Sequence, residues 1–415
     1  MTGSAQNAPS SDPTTASTRG GVIAWLRTAH PVVVTALAIL SAIVVGGLLI
    51  ALTDDRTTHA MTYFFSYPWD TFTFGWEAIW EAYKALFEGA IFNPSSISSG
   101  SMTQMLSPIS ETLVTATPLI LVGLSVGLAF RSGLFNIGGQ GQIIMGAICA
   151  GFVGFAWNLP PGLHLLLAVV AGVMGGALWG GLAGWLKART GAHEVITTIM
   201  LNYIALYFLQ YLLSISGFQR PGSNQAISKI VYPSARLPHL LGPDLRLHAG
   251  LLVALAATAG VSWLLTRSTT GFQLRAVGAN PNAARTAGMR VERSFIIVMV
   301  LAGALAGLAG CTQILGTNTA ITGDIDAGFG FDGITVALLG RANPWGTVLA
   351  GLLFGGLKAG GLAMQSRTST PVDLVTVLQA LVVLFVAAPA LVSSVFRLKP
   401  TGEGVSPQLA KGWNG

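Results

Sequence analysis

Apolar runs close to the length of a bilayer crossing recur along this chain, and that recurrence limits its fold more than any other feature. A crossing helix needs about 20 apolar residues, because each residue adds only about 1.5 Å of rise. Ten segments can be placed, near residues 31–52, 109–130, 136–157, 164–186, 195–215, 248–266, 294–316, 331–340, 345–363 and 372–396. The eighth falls well short of a crossing and reads as a half-helix or a re-entrant piece. Composition agrees: only 9% of the 415 residues are charged, where soluble domains carry about a quarter. The expectation is an all-α polytopic membrane protein of about ten transmembrane segments, one of them a half-helix, with its core at 108–396.

Residues 1–30 read as a disordered cytoplasmic tail, and 397–415 as a second cytoplasmic tail. The first apolar run, from Pro31, is too long for the core of a signal peptide, so it reads as an uncleaved span. With the amino terminus inside, fourteen basic residues are cytoplasmic: Arg19, Arg27, Arg131, Lys187, Arg189, Arg267, Arg275, Arg285, Arg290, Arg293, Arg341, Arg397, Lys399 and Lys411. Eight fall outside or at the outer interface: Arg56, Lys84, Arg220, Lys229, Arg236, Arg246, Lys358 and Arg367. The bias puts both termini in the cytoplasm. The net charge of +6 therefore reflects membrane topology and gives no reason to expect a nucleic-acid partner. Cys149 and Cys311 both lie in apolar runs, so neither a disulfide framework nor a cysteine metal site is expected.

Two external segments are long. Within 53–107, Trp76, Ile79, Trp80, Tyr83 and Phe87 share one helical face. Such a helix suits either the headgroup layer or the protein's own outer surface. Residues 216–247, with four prolines and mixed charge, read as a structured external loop able to receive a partner. Inside the spans, Gly172, Gly176, Gly180 and Gly184 recur every fourth residue, with Gly303, Gly307 and Gly310 on the seventh segment. Stripes of this kind let two helix backbones approach closely.

No catalytic constellation emerges. The chain has no G-x-x-x-x-G-K-[ST] phosphate loop, and Gly328-Phe-Gly-Phe-Asp-Gly333 lacks the strand and the later acid of a dinucleotide site. His193-Glu194 lacks a second histidine at ligand spacing. Acids at membrane depth are few: Glu111, Glu194 and Asp332, with Asp373 near an end. Glu111 and Glu194 sit where they can reach water. Asp332 opens the half-helix, where a carboxylate can cap N–H groups or meet a ligand. A chain of buried acids and histidines, as in proton-coupled carriers, is not visible.

Uncharged polar residues are more informative. Asn136, Gln140 and Gln142 open the third segment; Thr197, Thr198 and Asn202 lie on the fifth, Gln313 on the seventh and Thr335 on the eighth. Amides and hydroxyls both donate and accept, which suits a neutral polyhydroxylated or heterocyclic ligand; helix–helix glue is the alternative. Glycine-broken stretches at Gly138-Gly139 and Gly328–Gly333, one in each half, hint at a repeat with a midplane site.

Between the sixth and seventh segments lies an arginine-rich polar island, 271–293. It contains a short helix with its own punctuation. Asn280 can cap it, Pro281 suits the first position, Ala283, Ala284 and Ala287 favour helix with little bulk, and Gly288 can end it left-handed. So short a helix is not stable alone, and its small side chains suit a groove on another body. The simpler reading is a basic loop tethered by lipid phosphates.

Four stretches carry a family resemblance in the same order: LFNIGGQGQ at 134–142, TTIMLNYIA at 197–205, AVGANPNAARTAG at 276–288 and GFGFDGITVALLG at 328–340. From about 108 to 396 the chain resembles the membrane permeases of bacterial ABC importers for simple sugars and nucleosides. The match is nearest to the nucleoside-type branch; ribose-type and branched-chain amino-acid permeases share the architecture. The resemblance implies a type II ABC importer-like bundle, working by alternating access in the bacterial plasma membrane. The implied partners are two cytoplasmic ATP-binding subunits, a second permease (a different paralogous chain) and an external substrate-binding lipoprotein, besides membrane lipids. ATP would bind the partner subunits, and this chain would hold no cofactor and no metal.

In this likeness Asn280, Pro281, Ala283, Ala284, Arg285 and Gly288 form the helix that couples to the ATPase. Asn136, Gln140, Gln142, Asn202, Asp332 and Thr335 are expected along the solute path, and Gly172, Gly176, Gly180 and Gly184 in helix packing. Ala284→Asp, or a bulky residue at Gly288, is then expected to abolish uptake and ligand-stimulated ATP hydrolysis. Gln140 departs from the family, which often has Glu there, and residues 1–30 and 53–107 have no counterpart in it. The rivals are an ion-gradient-driven carrier of a small neutral solute and a non-transporting scaffold or receptor.

Overall fold

Fourteen α-helices form the frame of the described residues: α1 (Pro31–Thr53), α2 (Asp55–Met61), α3 (Pro68–Ala90), α4 (Met102–Arg131), α5 (Gly139–Ala156), α6 (Leu163–Thr190), α7 (Glu194–Ser214), α8 (Gly250–Arg267), α9 (Thr269–Ala279), α10 (Pro281–Thr286), α11 (Val291–Thr312), α12 (Phe329–Leu339), α13 (Pro344–Thr368) and α14 (Asp373–Ala387). The structure is a computed structural model and describes residues 31–94, 96, 97, 101–368, 370, 371, 373–388, 392 and 394–396. The two expected tails, with Arg19, Arg27, Arg397, Lys399 and Lys411, lie outside the described residues.

Among the described residues, eight helices are long and apolar enough to cross a membrane, and α12 and α14 are shorter apolar helices. The protein is an all-α polytopic membrane protein. The half-helix runs from Phe329 to Leu339, two residues earlier at its start than the sequence suggests. Several starts follow from proline: Pro31, Pro68, Pro281 and Pro344 each occupy a first helical position, where no N–H is needed.

The chain divides into two compact units, Met1–Ser41 with Leu384–Gly415, and Ala42–Val383. In the first, Val34, Ala38 and Val392 form a small buried cluster with Leu37, Phe385 and Val386. In the second, α6 and α11 approach backbone to backbone. A Cβ on Gly176 would enter the carbonyl of Gly303, and one on Gly180 would lie 2.9 Å from the Gly303 Cα. Gly172 faces Cys311 and the Gly146 carbonyl, and Gly184 faces Met299 and Phe295. With no water between helices to drive association, such contact and its dispersion energy hold the bundle together.

In α3 the aromatic stretch and the packing surface occupy different faces. Its small residues Gly75, Ala78, Ala82, Ala85 and Ala90 are buried, and Gly89 meets Ala363 and Gly360 of α13. Trp69, Phe72, Trp76, Trp80 and Phe87 point outward, each more than half exposed. The helix therefore packs on its own protein by a small-residue face and offers its aromatic face to the surroundings. Tyr83 departs from that face: its hydroxyl donates to the Ile43 carbonyl of α1 at 2.5 Å.

The segment between α7 and α8 has few regular elements but is well tied down. Ser228 N donates to Ile321 O (2.9 Å), Val231 N to Thr319 O (2.9 Å) and Leu237 N to Leu315 O (2.7 Å). At its end His248 is 1% exposed. Its Nδ1 accepts from Gly250 N at 3.1 Å, so the ring proton sits on Nε2, which donates to Thr317 Oγ1 at 3.2 Å. Burial, then His239 and Arg246, push the imidazole from 6.5 down to about 4. A neutral folded form loses stability as pH falls from about 6.5 towards about 4, because only the unfolded chain takes up the proton freely. At pH 5 the loss is about 2 kcal/mol. The melting midpoint of the purified chain is expected to drop between pH 7 and pH 5, and His248→Gln to flatten that slope.

Candidate functional site

The two glycine-broken stretches meet. After α4 ends at Arg131, Gly133 turns the chain at φ +75° and residues 132–138 run back without helix. A Cβ on Gly139, the first residue of α5, would lie 3.2 Å from Val122 Cγ1. Val122 stands nine residues before the end of α4, about 13 Å along it, so α5 begins well inside the bundle. The half-helix α12 begins at the same place. Gly333 backs onto Val122, and Gly330 has room for no Cβ against the backbone of Gln140. Two helix N-termini, each the partly positive end of its helix dipole, thus converge beside Val122.

A set of buried amides fixes the re-entrant stretch. Asn136 Nδ2 donates to Ser125 Oγ (3.2 Å) and to Gln142 Oε1 (3.0 Å). Its Oδ1 accepts from Gln142 Nε2 (3.0 Å) and Gly138 N (3.1 Å). From α7, Asn202 accepts from Gly141 N (2.9 Å) and donates to Ile137 O (2.9 Å). Asn136, Gln142 and Asn202 are all buried, and their contacts support the helix-glue reading. Ser125, unmarked in the sequence, completes the set. Thr197 and Thr198 bond the Glu194 carbonyl, one turn back.

The other three expected path residues are only partly buried. Thr335 donates to the Asp332 carbonyl at 2.6 Å. Asp332 does not cap α12: Gly328, left-handed at φ +75°, is the N-cap, and no side chain caps it. The Asp332 carboxylate instead meets Lys358 Nζ at 2.6 Å. Lys358, counted from sequence with the external charges, lies in the interior of α13. Nearby, Asp326 is 3% exposed. Burial and Asp324 push its carboxyl up, opposed by the Gln140 amide and backbone N–H groups. Sequence reading passes over Asp326 because its connecting loop carries no periodic signal.

Two other acids are paired as well. Glu194, expected to reach water, is 7% exposed and ion-paired to Lys187 at 2.9 Å. Glu111 pairs with Arg246 at 3.0 Å. Glu111 also lines a cleft of about 390 Å³ with Glu88, Gln104, Thr115, Leu362 and Arg367, in which Arg367 holds Glu88 at 2.6 Å.

The polar island is more ordered than a loop. Ser268 Oγ accepts from Gly271 N at 2.9 Å and starts α9, so residues 269–279 are helical. Asn280 Oδ1 accepts from Asn282 N (3.0 Å) and Ala283 N (3.1 Å), capping α10. Gly288 closes it at φ +82°, with Met289 N donating to Ala284 O at 3.0 Å. Ala284 faces inward, 4% exposed, against Val277, Val291, Met289 and Phe295. Ala283 and Ala287 face outward. Arg285 turns back to Glu292 at 2.9 Å. So the alanine expected to meet another body is split: Ala284 serves the island's own core, and the outer face belongs to its neighbours.

The island touches the re-entrant stretch directly. A Cβ on Gly278 of α9 would lie 2.6 Å from Arg131 O, 2.7 Å from Ser132 C and 2.9 Å from Gly133 N. Arg131 Nε in turn donates to Ala342 O at 3.1 Å, in the turn after α12. Arg341 and Ala342 hold φ values of 53° and 50° there. One turn, Arg131–Gly133, therefore contacts the island on one side and the end of the half-helix on the other.

A family model described as "Branched-chain amino acid transport system / permease component" matches residues 109–387. The guanosine ABC transporter permease protein NupP of Bacillus subtilis (strain 168) is 43% identical over 299 residues, 71% of this chain and 85% of that one. The nucleoside ABC transporter permease protein NupB of Lactococcus lactis is 36% identical, covering 76% and 85%. The glucose ABC transporter permease protein TsgB13 of Haloferax volcanii is 35% identical, covering 88% and 89%. No solved structure matches.

Proposed function

The chain belongs to the branched-chain amino acid transport system / permease component family, and from that premise we propose that it carries a nucleoside or simple sugar inward as the permease subunit of an ATP-driven importer. A nucleoside is the first expectation, from the 43% identity to a guanosine permease. ATP binds and is hydrolysed on separate cytoplasmic subunits, and this chain has no ATPase site of its own. It pairs with a second, paralogous permease and receives solute from an external binding lipoprotein. Both termini and the island lie in the bacterial cytoplasm.

The observation that carries this reading is the seat of Gly278 on the Arg131–Gly133 turn. Through it a capped cytoplasmic helix pair bears on the two broken helices that meet beside Val122. Closure of the ATPase dimer moves α10 and α9; the turn follows, and the convergent N-termini of α5 and α12 open to one side or the other. Kinship with ABC permeases weighs against an ion-gradient carrier. The direct test presents the assembled complex with a panel of nucleosides and sugars and reads melting midpoint and ATP-dependent uptake. A shift and uptake with a nucleoside are expected; uptake that survives ATP depletion and collapses with a protonophore contradicts the reading.

A further inference from the structure

Lys358, midway along α13, and Asp332, in the first turn of the half-helix α12, are charged residues left partly open. Lys358 lies 14 residues from the start of α13, about 21 Å along it. Its Nζ reaches three points of one turn: Asp332 Oδ2 at 2.6 Å, Ala327 O at 2.9 Å and the Phe329 ring at 4.4 Å. That turn is conformationally demanding, because Ala327 and Gly328 are consecutive left-handed residues with φ of 45° and 75°. A non-glycine residue is disfavoured there unless its surroundings hold it. The side chains nonetheless keep 30% and 25% of their exposure. Charges open to hydrocarbon are costly, whereas charges lining a polar cavity are where such residues normally occur. Leu362, one turn further along α13, lines the cleft of about 390 Å³ described above.

We propose that the Asp332–Lys358 pair is a charge filter in the wall of the solute path. Paired, the two groups present donors and acceptors to hydroxyls while leaving the wall electrically neutral, so that uncharged solutes pass and ions do not. Lys358 is the positioning residue: its three contacts hold the start of α12 and the carboxylate in place. The proposal rests on the nucleoside-or-sugar reading, and its test separates the two.

The full chain, assembled with its ATPase and partner permease, is compared as wild type, Lys358→Met, Asp332→Asn, the double variant and Lys358→Arg. Uptake of a neutral nucleoside is competed with a 5′-amino and a 5′-carboxylate analogue. In wild type and Lys358→Arg neither charged analogue competes well. Lys358→Met leaves a bare carboxylate and favours the amino analogue by about tenfold; Asp332→Asn leaves a bare ammonium and favours the carboxylate analogue by a similar factor. The double variant returns to neutral preference. A role in folding alone cannot give opposite signs, so equal or absent changes in the two single variants overturn the filter. Where Lys358→Met does not reach the membrane, Lys358→Gln replaces it in the comparison. If wild type takes up no nucleoside and no sugar, the functional reading fails. The filter is then tested by the same competition with whichever neutral solute the complex does take up and its amino and carboxylate analogues: opposite shifts in the two single variants keep it, and their absence removes it.

Discussion

Gly278→Val is expected to uncouple this permease, leaving the chain in the membrane at wild-type amounts while uptake falls by roughly ten- to a hundredfold. The reason is local. The missing side chain at 278 leaves α9 against main-chain atoms of Arg131, Ser132 and Gly133, with a built Cβ only 2.6–2.9 Å from them. Main chain cannot rotate aside as a side chain does, so α9 must lift from the turn. Overpacking of this kind costs about 1–3 kcal/mol. Borne unequally by the two arrangements a permease alternates between, it shifts their ratio by a factor of about ten or more. Hydrolysis by the ATP-binding subunits should continue but cease to rise with solute, and Gly278→Ala should show a milder form. Uptake and stimulation at wild-type levels in Gly278→Val would remove the turn from the mechanism.

Ala283→Asp is expected to have the larger effect. Ala283 is the third residue of α10 and faces outward. A carboxylate near a helix N-terminus favours the helix, so the change leaves the island folded and alters only what its outer face meets. Against a closely fitted partner surface, a buried unpaired carboxylate costs several kcal/mol, enough to abolish productive contact. Ala284→Asp is a poorer test, although sequence reading points to it. Its side chain enters the cluster of Val277, Val291, Met289 and Phe295, so it is expected to unfold the island, and lost uptake would say nothing about the partner.

The split between Ala283 and Ala284 shows where sequence reading stops. Asn280, Pro281 and Gly288 act through backbone geometry, which local residue types specify, and all three occupy the expected positions of a capped short helix. Which alanine faces inward depends on Val277 and Val291, from helices on either side, and no periodicity within six residues can reveal it. The same contrast holds in the bundle. Apolar length alone marks the long helices, though not α2, α3, α9 or α10, and the short eighth run becomes a half-helix that begins at Phe329. Lys358 misleads, because a lone lysine late in an apolar run looks like an interfacial residue until its partner on another helix is known. Asn136, Gln142 and Asn202 are legible as polar residues in the bundle, but their hydrogen bonds reach partners as far apart in sequence as Ile137 and Asn202. Gly133 and Gly278, two glycines among 52, carry no signal until α9 is seen lying on the end of α4.

The claim that a separate motor works this bundle through α10 is tested most directly by ATP hydrolysis and solute uptake measured together in proteoliposomes. In the wild-type complex, solute should raise hydrolysis and uptake should require ATP. In Ala283→Asp, solute should still bind with unchanged affinity while hydrolysis no longer responds and uptake is lost. Undiminished stimulation and uptake in Ala283→Asp, or wild-type uptake with the ATP-binding subunits left out, would contradict it.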